Sequence, residues 1–348
     1  MLSLTFRQML VLGGLVALLA VVFVLSLIIG STWIPVRQVV AALVGTDAAN
    51  RDVAAVVVRA IRLPRSITAM LAGASLGVAG LQMQTLFRNP LADPFALGIS
   101  AGASLGVALV VLGTGYGATA MFGSAMGMQG DIAIVAAAIC GASFVLVLVL
   151  MVSTRIASPT TVLILGLMFG YGVSAVVTML VGASQPERLQ QWAQWGFGSF
   201  SGVTWQRLEL FGPLALGGVM LATATSAQLN ALLLGEHYAR SMGVAVRRTR
   251  FVTMCSASVL GALVTAFCGP ISFLGIAIPH LCRRVLGTSD HRLLMPAAVL
   301  LGAAVALLAQ IVSLLPAGIL PLNAVTALIG APIVVVVLLR SRQGSFAA

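Results

Sequence analysis

Long apolar runs recur along this chain so regularly that few folds can hold it. Stretches of about 20 mostly apolar residues, enough to cross a hydrocarbon core, fall at about 9–30, 66–86, 95–113, 131–152, 161–182, 208–227, 250–268, 271–287, 293–315 and 322–339. In lipid every backbone N–H and C=O must be satisfied within the protein, so such runs fold as helices. The pattern predicts an all-α polytopic membrane protein with about ten transmembrane helices, a single transmembrane domain over residues 1–348. Only 8% of residues are charged, against about 25% in a soluble domain. The runs at 95–113 and 271–287 are the least continuous, being interrupted by Gly and Pro. The first run is longer than the roughly 7–15 residues of a signal-peptide core, and no A-x-A site follows, so it reads as a first helix.

The 19 basic residues are all Arg, set against 8 acidic ones, for a net charge of +11. Without Lys there is no G-x-x-x-x-G-K-[ST] phosphate loop and no Schiff-base chemistry. In a soluble chain this charge would point to nucleic acid. In a membrane chain it points to cytoplasmic loops and anionic headgroups, and no nucleic-acid partner is expected. An even number of spans puts both termini on one side. If that side is the cytoplasm, Arg7, Arg88, Arg155, Arg240, Arg247, Arg248, Arg250, Arg283, Arg284, Arg292, Arg340 and Arg342 lie inside, a majority of the 19. That bias supports cytoplasmic termini. The remaining Arg lie outside, most of them within residues 37–65.

Three connecting segments carry information. Arg59, Arg62 and Arg65 precede the second span, with Pro64 placed as a first-turn proline. Positive charge at a helix N-terminus opposes the macrodipole, so these side chains are not expected to stabilise that helix. They read either as an interfacial cluster on lipid phosphates or as a docking site for carboxylates, which the planar guanidinium binds bidentately. The stretch Gln84 to Pro94 holds Arg88, Asn89, Pro90, Leu91 and Asp93. It is a polar turn, or else irregular backbone lining a water-filled path. The stretch Gln228 to Arg250 is the longest inner connection. Leu232, Leu233, Leu234, Tyr238 and Met242 could give short helices an apolar face, with Gly235 and Gly243 as breaks. It reads as a lipid-surface helix or as a plug for a cytoplasmic partner.

Several chemistries are disfavoured. Gly98-Ile-Ser100-Ala-Gly102 matches a nucleophile pattern, but Gly98, Gly102 and Gly106 repeat every fourth residue, as do Gly73/Gly77 and Gly166/Gly170. That is small-xxx-small helix packing, so an intramembrane serine protease is not favoured. Ion-coupled carriers keep acidic residues inside the membrane. Here Asp93, Glu236 and Asp290 fall in inner connections, and Asp47, Asp52, Asp131, Glu187 and Glu209 in outer connections or at span ends. The energy source is therefore another subunit, or the pore is passive. Cys140, Cys255, Cys268 and Cys282 lack C-x-x-C spacing and read as packing residues. His280, after Pro279, reads as a hydrogen-bonded residue of a Pro-broken helix rather than as a metal or haem ligand.

The order of segments resembles the FecCD-type permeases, the ABC importers of ferric siderophores, haem and cobalamin. The resemblance rests on Arg62-Leu-Pro-Arg65, Gln84 to Ser100 with Gly102-Ala103, Gly269 to Arg283, Asp290-His291-Arg292 and Ala324 to Pro332. It implies a ten-helix, BtuC-like permease fold acting as a homodimer in the bacterial inner membrane. It further implies two separate cytoplasmic ATPase subunits, which hold the ATP and Mg, and a periplasmic binding protein. No catalytic residue, metal site or cofactor is expected in this chain. Carried over residue by residue, Arg62 and Arg65 would meet carboxylates of the binding protein, and Arg59 would join them. Asn89, Leu91, Pro159 and Thr160 would lie near the cytoplasmic gate. Leu234, Gly235, Glu236, Met242 and Gly243 would couple to the ATPase within residues 229–243.

The chain also departs from the family. Where many members carry Asp-x-x-x-Arg it reads Gln310-Ile-Val-Ser-Leu314, so a further docking Arg is missing. A path lined by Thr, Ser, Met and Gly with almost no charge leans towards haem, then a ferric siderophore, then cobalamin. The main alternative is a stand-alone secondary carrier of a bulky apolar solute.

Overall fold

The computed structural model describes residues 5–45, 53–112, 130–156, 158–314 and 320–345, and these residues contain helices and turns but no strand. Each predicted run has its helix. In chain order these are α1 (Phe6–Ile28), α4 (Leu63–Phe87), α5 (Ile99–Val111), α6 (Gly130–Ser153), α7 (Pro159–Gly182), α9 (Trp205–Ala224), α12 (Val246–Cys268), α13 (Leu274–Leu286), α14 (His291–Ser313) and α15 (Leu322–Ser345). Five shorter helices lie between them: α2 (Val36–Val44), α3 (Val53–Val56), α8 (Pro186–Gly196), α10 (Ser226–Leu233) and α11 (Glu236–Ser241). Seven helices among the described residues are long and apolar enough to cross a membrane. The two Gly- and Pro-interrupted runs form short helices, with α5 and α13 of 13 residues each. At about 1.5 Å per residue each spans roughly 20 Å, short of a hydrocarbon core of about 30 Å.

The centre of the bundle is α4, which packs against α14, α12, α13 and α9. Nearly all of it is buried, and its Ala-Gly-Ala-Ser-Leu-Gly-Val-Ala-Gly run explains how. A Cβ on Gly73 would sit 2.1 Å from the Gly302 carbonyl oxygen, and one on Gly80 would sit 1.8 Å from that of Gly275. The same device joins α5 to α6, where a Cβ on Gly106 would lie 1.9 Å from the Ala137 oxygen. Likewise, Gly98 faces Gly166 and Gly170 of α7. The four-residue glycine spacings are therefore backbone-to-backbone contacts between helices, which accounts for the glycines around Ser100 without a nucleophile.

The second span begins earlier than the proline at position 64 implies. Helix starts at Val53, runs through a π-helical turn at Val57–Arg62, and continues without a break into α4. Pro64 has no N–H and its ring crowds the carbonyl four residues back. The widened turn, closed by the Leu63 N–H donating to the Val58 oxygen, supplies the room. Beside it a small apolar cluster of Leu27, Ile28, Ile34, Val39, Ala42, Ala55 and Val58 packs α1, α2 and α3 together. A far larger core fills the rest of the bundle.

Candidate functional site

At the end of the bundle that carries α2, α3 and α8, the Arg cluster divides by role. Arg62 is only 5% exposed. Its guanidinium donates to the carbonyl oxygens of Leu27 (2.8 Å), Ile28 (2.7 Å) and Thr32 (2.5 Å). These oxygens lie at and just beyond the C-terminus of α1, where carbonyls have no intrahelical partner and the dipole is negative. The Gly30 Cα packs so closely that a Cβ there would stand 2.9 Å from the Arg62 Cζ. Arg59 does the same for α2: its Nε donates to the Ala42 oxygen, while the Arg59 carbonyl accepts the Trp205 indole N–H at 2.8 Å. Arg59 and Arg62 thus oppose the dipole of their own helix, as expected, but cap the C-termini of two others. Arg62, one of the three Arg offered as docking groups, has its donors committed to carbonyls of this chain. Arg65 remains. Half-buried, it lines a cleft of about 210 Å³ with Gln194, Ser199, Gln310 and Ser313, and makes no hydrogen bond or ion pair among the described residues.

The opposite end is built on the turn after α4. Arg88 adopts the left-handed conformation (φ 47°), ending the helix. Asn89 then folds the turn back by accepting the Leu91 N–H at 2.9 Å. Leu91 is partly exposed beside it. Asp93 is buried and caps the 3-10 turn Pro94–Leu97 by accepting the Phe95 N–H at 2.8 Å. Burial pushes its carboxyl up to about 6, and the Phe95 bond pulls the other way. The turn is pinned to α13: the His280 Nε2–H donates to the Pro90 oxygen at 2.8 Å, and Arg283 donates to the Gln84 side chain at 2.6 Å. His280 is therefore a structural hydrogen-bonding residue of a Pro-containing helix.

A polar junction that sequence reading missed ties this end together. Asp290 caps α14 by accepting the Arg292 N–H (2.9 Å) and also accepts the Asn230 amide of α10 at 2.6 Å. The Asn230 carbonyl oxygen accepts from the His291 backbone N–H and ring Nδ1, both at 2.8 Å. With Nδ1 protonated, the His291 Nε2 is left to accept the Thr85 hydroxyl of α4 at 2.7 Å. Arg88 donates to the Leu232 carbonyl at the end of α10, at 3.1 Å. Thus α10 is fixed to both α4 and α14. Its only sequence signal was the pair Asp290-His291, whose partner is about 60 positions away.

Beyond α10 the chain turns sharply at Gly235 (φ 115°) and again at Gly243 (φ 81°), conformations that need glycine. Between them Glu236 begins α11 and pairs with Arg240 (3.4 Å) and Arg250. Leu232 is buried, whereas Leu233, Leu234, Tyr238 and Met242 are exposed and give the unit an outward apolar face. Ser158 caps α7, Pro159 is its first residue, and Thr160 is exposed on the first turn. Among the described residues no three His, Cys, Asp or Glu side chains gather as a metal site, and the four Cys are unbridged. Asp47 and Asp52 lie outside the described residues.

Among the described residues, a bundle of apolar helices, seven of them long and apolar enough to cross a membrane, with a short helix bounded by Gly235 and Gly243 at one end, is the architecture of a polytopic membrane protein. The sequence profile of the FecCD transport family matches residues 18–340. The chain belongs to that family, as an ABC importer permease. The vitamin B12 import system permease protein BtuC of Klebsiella pneumoniae subsp. pneumoniae is 37% identical over 333 residues, covering 94% of this chain and 93% of that protein. BtuC of Escherichia coli O9:H4 is 37% identical over 287 residues, 81% of this chain and 83% of that one. Among solved structures, an inward-facing metal-chelate type ABC transporter matches with a TM-score of 0.79 and 30% identity, covering 94% of this chain and 98% of that chain.

Proposed function

We propose that this chain is the permease subunit of an ATP-driven importer of metal chelates, acting as a homodimer with two cytoplasmic ATPase subunits and an extracytoplasmic binding protein. The observation that carries the reading is the α10–α11 unit. Its apolar face is exposed at Leu234, Tyr238 and Met242, while its base is bonded to α4 and α14 through Arg88, Asn230 and His291. A force applied to Leu234, Gly235, Glu236, Met242 and Gly243 by a partner would reach two membrane-spanning helices directly. On this reading that end faces the cytoplasm, as do both termini. Asn89, Leu91, Pro159 and Thr160 would then line the exit, and Arg65, rather than Arg59 or Arg62, would receive a carboxylate of the binding protein.

An apolar, hydroxyl-bearing path favours haem on chemistry alone, but relatives named for vitamin B12 import weigh towards cobalamin. The test is reconstitution with the cognate ATPase and binding protein, followed by uptake of labelled cobalamin, haem and a ferric siderophore. ATP-dependent uptake of one chelate is expected, and Arg65→Glu should abolish stimulation of ATP hydrolysis by the binding protein. Uptake by the chain alone in ATP-free liposomes would replace this reading with a secondary carrier.

A further inference from the structure

A cleft of about 1270 Å³ opens at the Arg-rich end between the last turns of α4 and α6 and the first turns of α7 and α12. Its rim carries Arg155, Arg240, Arg247, Arg248 and Arg250. Their neutralisation is incomplete. Glu236 pairs with Arg240 and Arg250, and Arg247 donates to the Thr154 carbonyl at 3.1 Å. The side chains of Arg155 and Arg248 are exposed and make no hydrogen bond or ion pair among the described residues. The walls below are apolar, formed by Phe87, Val162, Phe251 and Met254. Phe251 is half exposed there.

We infer that this cleft binds an anionic phospholipid, with its phosphate between Arg155 and Arg248 and an acyl chain along Phe251 and Met254. A cluster of like charges with one acid nearby is self-repelling, and a phosphate relieves that repulsion. Basic pockets between membrane-spanning helices are known to take anionic headgroups in this way. The apolar walls select a lipid over free phosphate, because a bare anion would leave them in water. The inference requires only that the chain is a membrane protein, and it is independent of which chelate is carried.

The test is native mass spectrometry of the purified full chain, alone and with its ATPase subunits, after titration with cardiolipin, phosphatidylglycerol or phosphatidylcholine. One anionic lipid should be retained per chain in both forms, phosphatidylcholine should not be, and excess inorganic phosphate should not displace it. Replacing both Arg155 and Arg248 by Gln should weaken retention about 30-fold, at roughly 1 kcal/mol per Arg. The thermal midpoint of the lipid-free protein should stay unchanged. Equal retention of phosphatidylcholine, undiminished binding by the double variant, displacement by phosphate, or loss of the lipid when ATPase subunits bind would each overturn the inference. If the double variant is unstable, Arg248→Gln alone carries the same comparison with about a fivefold loss.

Discussion

Replacing Arg62 by Ala separates a docking side chain from a structural one. The guanidinium donates to the carbonyls of Leu27, Ile28 and Thr32 from a site that is 5% exposed. A hydrogen bond to a charged group contributes about 1.5–3 kcal/mol, and a buried acceptor left without a donor costs about 1–3 kcal/mol. These bonds share one side chain and are not additive, so about 3–5 kcal/mol is expected, in the range for breaking a buried charged network. The loss should be read as a lower midpoint in detergent unfolding, with no dependence on the binding protein. Arg62→Lys should recover only part of it, since an ammonium lacks the planar fork that reaches three carbonyls at once. Arg65→Ala should leave the midpoint in place. If Arg62→Ala unfolds at the wild-type midpoint, the capping account is wrong and Arg62 returns to the docking surface.

Two further outcomes follow from local geometry. Gly141→Ala would put a Cβ 2.1 Å from the Gly102 carbonyl oxygen and should cost about 3 kcal/mol, whereas Gly13→Ala, with nothing within 4 Å, should be neutral or stabilise by up to about 1 kcal/mol. Unfolding midpoints of the two variants compare them directly, and equal values would refute the packing role. Asp93 has its carboxyl raised to about 6 from an ordinary 3.8, so the stability it contributes is present below about pH 4 and lost as pH rises through 6. Asp93→Asn, which can still accept the Phe95 N–H, should flatten that slope in unfolding measured from pH 4.5 to 7.5. A slope unchanged in the variant would assign it to another group.

What was legible in the sequence was what depends on neighbours a few residues away. Each apolar run fell on a helix, two of them short, and the glycine spacings at 73/77, 98/102/106 and 166/170 marked the helix contacts. Gly235 and Gly243 marked the turns around α11 because their conformations admit little else. The roles of Arg59 and Arg62 were not legible. Their acceptors lie 17 to 35 residues away, and the π turn decides which way each side chain points. Pro64 does stand in the first turn of α4, but nothing in it signals the π turn that carries the helix back to Val53. The Asn230 junction was hidden because an Asn in a polar connection announces no partner, and His291 is about 60 positions further on.

The brevity of α13 bears on how the chain enters the membrane. With 13 residues, an internal Pro279, and Arg283 and Arg284 in its last turn, it has neither the length nor the apolarity to partition into lipid alone. Its backbone touches α4 at Gly80, and its polar groups are met by Gln84 and Pro90. A segment of this kind is expected to insert only against α4, so that a late part of the chain depends on an early one. Damage to α4 should appear first as failed biogenesis, with truncated or degraded protein, before any transport defect can be measured.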